Sequence, residues 1–334
     1  MTSKEPAIRG AALLAALISL FCGVMWAKPK PARLALPLVA PYIDMTTAPE
    51  MLPVLQASSG INVFTAAFLV GHNGCNPSWG ERFPVAADQR IAADITALRQ
   101  TGGDVILSFG GYNGEELAAV CPSVKSLVKA YQTVLRKYRP RVLDFDIEHT
   151  MLDNAASIDR RNQTLHKLQE SDPALRVHYT LPVTPAGLPP GAVALLRNAV
   201  ENGVRVELVN LMAMDFAVPV EEGGMSARAI SAVQGARKQI AAVGLETQLG
   251  VTPMIGVNDS PGESFTLDDA RVLLRYAEAP AHNVELISFW SIARDHGGCS
   301  GVVQRSCSGL EQKDWAFTRI FRTFATAAAA GEKR

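Results

Sequence analysis

The stretch from Val142 to His149 reads VLDFDIEH, and its residue types alternate. Side chains on a strand point to opposite faces in turn, so Val142, Asp144, Asp146 and Glu148 share one face while Leu143, Phe145 and Ile147 share the other. The apolar row requires a packed layer behind it. The acidic row must face a wet cavity or a ligand, because three buried, unpaired carboxylates are very costly. Residues two apart stand ~6.5–7 Å apart along the strand. At that spacing the carboxyls titrate as a set that holds at least one proton near neutral pH. A protonated acid beside ionised neighbours is what general acid catalysis needs. Two other uses of the same residues stay open at this point: oxygen ligands for a hard cation such as calcium or magnesium, and a structural polar network.

Such a strand needs a scaffold, and the rest of the chain supplies a regular one. The apolar runs Leu34–Asp44, Ile61–Gly71, Asp104–Gly111, Arg141–Glu148, Arg176–Val183, Val206–Asp215, Gln248–Val257 and Val284–Ser291 read as strands. Between and after them, Ala48–Ser58, Pro84–Gln100, Glu115–Tyr138, Ser157–Glu170, Gly191–Asn202, Ala227–Val243, Leu267–Glu278 and Leu310–Ala325 read as helices. Strict alternation predicts parallel βαβ units, and eight of them predict an α/β fold of the (β/α)8 TIM-barrel type, a single domain over residues 34–327 with a C-terminal tail at 328–334. A doubly wound open sheet is the rival, but no GxGxxG follows the first strand and no phosphate loop is present. Catalytic groups of such barrels lie at the C-terminal ends of strands. The chemically active residues fall there: Tyr42 and Asp44, Ser108 to Gly111, Asp144 to Glu148, Tyr179, Asp215 and Trp290. That convergence favours the catalytic use of the acidic row over the metal site.

The 334 residues carry no net formal charge, which gives no electrostatic case for nucleic acid or an acidic membrane surface. The histidines form no HxxxH pattern and the cysteines no CxxC pattern, so no metal is expected. Lys4 and Arg9 precede an apolar run from Ala11 to Met25, the pattern of a signal peptide over residues 1–27, with residues 28–33 as a short linker. The run is short for a transmembrane span. Cleavage after Ala27 and export to the periplasm or outside the cell is therefore the favoured reading. Retention as a membrane anchor is the alternative, and the one route to membrane association. A cut there leaves Cys75, Cys121, Cys299 and Cys307, an even set suited to two disulfides in an exported protein. Four cysteines allow three pairings. The short loop favours Cys299–Cys307, which leaves Cys75–Cys121; free buried thiols are the alternative.

Several motifs resemble glycoside hydrolase family 18, the chitinase family: SFGG at Ser108–Gly111, DFDIE at Asp144–Glu148, MAMDF at Met212–Phe216 and SFWS at Ser288–Ser291. PYIDM, GCNPSWG, TLPVTPAGL, GVTPMIGVND and SFWSIARD are similar to the bacterial D-type chitinases. The resemblance implies hydrolysis of β-1,4-N-acetylglucosamine linkages in chitin or chito-oligosaccharides, with no cofactor. Family 18 is an exception to the two-carboxylate scheme of glycosidases, because the substrate supplies its own nucleophile. Glu148 would be the general acid, Asp146 would orient the substrate's N-acetyl group, and Asp144 would modulate the charge on Asp146. The resemblance places Trp290 as the floor of the −1 subsite and Asp215 near the N-acetyl group or Glu148. It makes Tyr42, Tyr179 and Arg294 candidate sugar contacts, with Ser108, Gly110 and Gly111 as support that lets the third strand approach the acids closely.

The chain departs from the family pattern in places. Arg141 stands where many relatives have Asp, Met214 where many have a tyrosine that bonds the N-acetyl group, Phe216 where the D-type commonly has Tyr, and His149 where Gly is common. The His149 imidazole would either shift the ionisation of Glu148 or point away from it. Two other function classes remain: a non-catalytic chito-oligosaccharide-binding barrel, against which the full acidic set argues, and an endo-N-acetylglucosaminidase acting on glycoprotein or peptidoglycan glycans.

Overall fold

Eight parallel strands close on themselves because the first strand serves two neighbours. The computed structural model describes residue 2 and residues 34–47, 52–217 and 224–324. The proposed signal segment, the linker at 28–33, the start of the predicted first helix and the C-terminal tail lie outside these. β1 comes in two pieces, Leu38–Val39 and Tyr42–Asp44, followed by β2 (Val63–His72), β3 (Asp104–Gly110), β4 (Val142–Asp146), β5 (Arg176–Pro182), β6 (Val206–Met212), β7 (Gln248–Thr252) and β8 (Val284–Ile287). The first piece of β1 pairs with β8 and the second with β2. Pro41 lacks an N–H, but its carbonyl accepts from Thr65 N while Ala40 N donates to Ile287 O, so hydrogen bonding continues across the break. Every neighbouring pair from β2 round to β8 is parallel.

The helices of the outer ring are α1 (Leu52–Ser59), α2 (Arg90–Gln100), α3 (Val124–Tyr138), α4 (Ala155–Ser171), α5 (Pro190–Glu201), α6 (Gly224–Ala242), α7 (Leu267–Ala277) and α8 (Ala316–Phe321). The long helix expected from Glu115 to Tyr138 is instead a short turn of helix, Leu117–Val120, followed by α3. Pro122 holds Cys121 in an extended conformation, and Ser123 then caps α3 in a capping box with Ser126. The strands predicted to reach Glu148, Val257 and Ser291 end earlier, at Asp146, Thr252 and Ile287. At β7 the cause is Pro253, which cannot donate to the ladder. The closing helix starts at Ala316 rather than Leu310, where the Asp295 carboxylate accepts from Phe317 N at 3.0 Å and Thr318 N at 2.7 Å.

The period-two pattern divides the core in two. Outward residues such as Leu107, Phe109, Leu143, Phe145, Val177, Tyr179 and Val209 pack under the helices. Inside, the lower barrel is filled by Leu38, Ala40, Val63, Ile106, Val142, Leu208 and Leu286. Gly250 belongs to this level, since a Cβ there would stand 2.8 Å from Asn210 Oδ1 and 3.1 Å from Leu286 Cβ. Above the apolar plug the inward residues become polar, and the site begins.

Loops at the C-terminal ends of the strands are braced. β2 continues into an antiparallel hairpin, Asn76–Trp79 with Phe83–Pro84. The Cys75–Cys121 disulfide joins its base to the segment before α3, and Cys299–Cys307 closes a short loop between β8 and α8. Trp79, in this hairpin, is fully buried and donates to the Tyr138 hydroxyl at 2.8 Å.

Candidate active site

The inner face of β4 carries Val142 in the apolar plug, then Asp144, then Asp146 at the strand's last residue. Glu148 follows in extended backbone (φ −127°, ψ 165°), so it keeps the same face beyond the strand's end. Behind this row, Phe145 stacks on Phe109 with centroids 5.2 Å apart and meets Tyr131 and Tyr179 at 5.6 and 5.8 Å. This aromatic layer gives β4 a rigid backing, so its acids project from a surface that cannot yield easily.

Asp144 is only 2% exposed and is held from three strands. Ser108 Oγ on β3 donates to its Oδ2 at 2.6 Å, and Thr180 Oγ1 on β5 donates to its Oδ1 at 2.7 Å. The Tyr42 hydroxyl on β1 lies 3.0 Å from Oδ2 and 2.9 Å from Thr180 Oγ1. The chain of bonds continues as Asn210 Nδ2 donates to Thr180 Oγ1 (3.0 Å) and Thr252 Oγ1 to Asn210 Oδ1 (2.8 Å). One belt of hydrogen bonds thus runs from β1 through β7 around the inside of the barrel. Below it His178, in register with Asp144, is 2.9 Å from Glu207. Burial lifts the Asp144 carboxyl above its ordinary range, against the opposing pull of the Ser108 and Thr180 hydroxyls and of His178.

Asp146 is 4% exposed, and its Oδ1 is buried without a hydrogen-bond partner. Burial first, then the Glu148 and Asp144 charges, raise its carboxyl well above the usual range. The Glu148 side chain is 17% exposed. Burial, with the Asp215 carboxylate second, raises it to about 7, while a hydrogen bond from Asp146 acts the other way. All three carboxyls are therefore raised chiefly because water is excluded, with charge repulsion adding to this at Asp146 and Glu148. Gly110 and Gly111 let β3 come this close. Both have φ in the left-handed region (93° and 81°), and a Cβ on Gly110 would lie 2.2 Å from the Asp146 carbonyl oxygen. Gly111 N donates to that same oxygen at 2.9 Å.

Trp290 is half-buried at the mouth, stacked on Phe68 at 5.8 Å and 6.1 Å from the Tyr42 ring. Asp215, with φ 48°, and Met214 follow β6, both half-buried. Ser260 N donates to Asp215 Oδ1 at 2.8 Å, and burial with Asp259 and Glu263 nearby raises its carboxyl.

Three residues expected to touch sugar do other work. Tyr42 is 2% exposed, and its hydroxyl belongs to the Asp144 belt. Tyr179 faces the helices, in register with Phe145; it is fully buried and its hydroxyl donates to Asn162 Oδ1 on α4. Arg294 is 2% exposed, and its guanidinium donates to the carbonyls of Ile255, Val257 and Gln304, fastening two loops. The sequence reading missed Phe68, Thr180, Asn210, Thr252 and His178. For the four polar ones the available signal was a polar residue at an inward position of a strand, a signal that Phe68 does not give.

No protein-family model matches the chain. It is 35% identical over 310 residues to a probable bifunctional chitinase/lysozyme of Escherichia coli, covering 85% of this chain and 34% of the relative. It is 35% identical over 279 residues to Endochitinase 11 of Metarhizium anisopliae, covering 77% of this chain and 52% of the relative. The chain thus spans about a third and about half of the lengths of these curated relatives. A catalytic-site mutant of active domain 2 of the thermostable Pyrococcus furiosus chitinase, complexed with chito-oligosaccharides, is 30% identical with a TM-score of 0.80, covering 90% of this chain and 98% of that one.

Proposed function

The chain belongs to the chitinase family, glycoside hydrolase family 18, and from that premise we propose that it hydrolyses β-1,4-N-acetylglucosamine linkages in chitin or chito-oligosaccharides by substrate-assisted catalysis. The observation that carries this is the acidic row: three inward carboxyls, each raised first by burial, one of them offering a buried oxygen with no partner.

In this reading Glu148, protonated below about pH 7, gives its proton to the glycosidic oxygen as the C1–O bond breaks. The carbonyl oxygen of the substrate's own N-acetyl group attacks C1, forming an oxazolinium ion. Asp146 Oδ1 accepts the acetamido N–H, which satisfies that oxygen and holds the acetamido group in place for its attack. Asp144, fixed by Ser108, Thr180 and Tyr42, keeps a second acid in place behind Asp146. Water then attacks C1 and passes a proton to the Glu148 carboxylate, which restores the acid. Two inversions at C1 retain the configuration. Trp290 offers its half-buried ring as the floor under the reacting sugar, and Asp215 keeps Glu148 in its acid form.

The N-terminal pattern and two disulfides support action outside the cytoplasm. The name of the Escherichia coli relative also covers lysozyme activity, so peptidoglycan belongs in the assay beside chitin oligomers. The test is cleavage of N-acetylated chitotetraose and of its fully deacetylated counterpart by the full-length chain and its Glu148→Gln variant. Cleavage of the acetylated substrate alone, lost in the variant, is expected. Cleavage of both substrates, or binding without cleavage by the wild type, overturns the proposal.

A further inference from the structure

Asp215 holds a backbone conformation that few residues other than glycine adopt, with φ 48° in the left-handed region. A residue stays there only where its surroundings over-determine it. The loop between β7 and α7 does so. Beyond Pro253, Gly256–Val257 pairs antiparallel with Ser264–Phe265, and Asn258 N donates to Glu263 O at 3.0 Å to close the turn between them. Asn258 and Glu263 are each only 2% exposed, so neither is a solvent-facing turn residue.

Both side chains reach the segment after β6. Asn258 Nδ2 donates to the carbonyls of Met254 and Gly256, each at 2.9 Å, which uses both amide hydrogens within its own loop and leaves Oδ1 as an acceptor. That oxygen accepts from Asp215 N at 3.3 Å. Glu263 Oε2 accepts from the next N–H, Phe216 N, at 2.9 Å, while its Oε1 pairs with Arg228 on α6 at 3.5 Å. A third contact runs the other way, from Ser260 N to Asp215 Oδ1 at 2.8 Å. The hairpin thus grips two successive backbone N–H groups and the carboxylate that lies between them in sequence.

Resting on the functional reading above, we infer that Asn258 and Glu263 are positioning residues: they clamp the backbone of Asp215 so that its carboxylate stays within electrostatic reach of the acid, Glu148. After burial, Asp215 is the next influence that raises Glu148. A like charge disfavours the ionised form, so an Asp215 that swings away lets Glu148 lose its proton at lower pH. The other groups facing Glu148 are Asp146 on β4 and His149, whose Nε2 stands 3.6 Å from Oε2. Those facing Asp215 are Asp259 and Glu263 in the hairpin and Arg294 after β8. Truncating Asn258 removes none of these charges, so it isolates the placement of Asp215.

The experiment is a kcat/KM profile from pH 5 to 9 on N-acetylated chitotetraose with the full-length chain, Asn258→Ala, Asp215→Asn and the double variant. Asparagine at 215 tolerates the left-handed backbone and carries no charge. Asp215→Asn is expected to move the alkaline limb about 0.5–1 pH unit toward acid, and Asn258→Ala to move it the same way by about half as much. The double variant should coincide with Asp215→Asn, because Asn258 acts through that carboxylate. A residue that served the fold alone would scale activity by one factor at every pH. Asn258→Ser, a milder truncation that also loses the reach to Asp215 N, gives the same readout should alanine prevent folding. A limb that stays at the wild-type position in the Asn258 variants, or that moves further in the double variant, overturns the inference and leaves the functional reading standing. A wild-type chain without activity at any pH overturns the reading beneath it, and the inference with it.

Discussion

Replacing Glu148 by Gln removes the proposed acid and should make the protein more stable above neutral pH. The carboxyl is raised from 4.5 in ordinary surroundings to about 7 in the fold. A raised group binds its proton more tightly in the folded state than in the unfolded one. Its stabilising contribution is fully present below the unfolded value, near pH 4.5, and is lost as pH climbs through about 7. Each unit of difference corresponds to ~1.4 kcal/mol, so the ionised group costs about 3 kcal/mol at pH 8. Glutamine keeps the shape and never ionises. Urea unfolding of the wild type and Glu148→Gln at pH 4.5 and pH 8 measures the effect. The variant should gain ~2–3 kcal/mol over the wild type at pH 8 and almost nothing at pH 4.5, with a Tm difference of several degrees following the same pH trend. A difference that is the same at both pH values, or a variant less stable at pH 8, would mean that Glu148 is not held in a strained, water-poor setting.

Thr180→Val removes the donor to Asp144 Oδ1 and strands Asn210 Nδ2, so a stability loss of ~2–4 kcal/mol in urea unfolding is expected, together with a lower kcat. Gly110→Ala forces a Cβ against the Asp146 carbonyl at a left-handed φ. At least ~2 kcal/mol of destabilisation should follow, with kcat falling more than KM changes. Tyr179→Phe should cost ~1–2 kcal/mol by leaving Asn162 Oδ1 unpaired, yet leave KM for chito-oligosaccharides unchanged. A raised KM would return Tyr179 to the substrate side.

The contrast between Asp144 and Tyr179 shows what was legible in the sequence. Within β4, the alternation of acid and apolar residues fixes which side chains face inward, because period two needs no partner strand. The eight-fold alternation of runs likewise identifies the barrel, since each run is long and its helices are amphipathic. Tyr179 was misplaced for a reason one strand cannot reveal. It is next to Thr180 near the end of β5, and only the register Asp144↔His178, Phe145↔Tyr179 puts the tyrosine in the outward row. The belt through Tyr42, Thr180, Asn210 and Thr252 has the same origin. These residues lie far apart in sequence and meet only when the barrel closes. Arg294 sits in a short 3-10 segment after β8, where no period indicates which way a side chain points.

The proposed mechanism makes the acetamido oxygen, not a protein carboxylate or water, the first nucleophile at C1. Proton NMR of N-acetylated chitotetraose during the first turnovers, before mutarotation, reads the anomer of the new reducing end. The β-anomer, with configuration retained, is the expected product. Initial release of the α-anomer would show a single displacement by water and rule out substrate assistance.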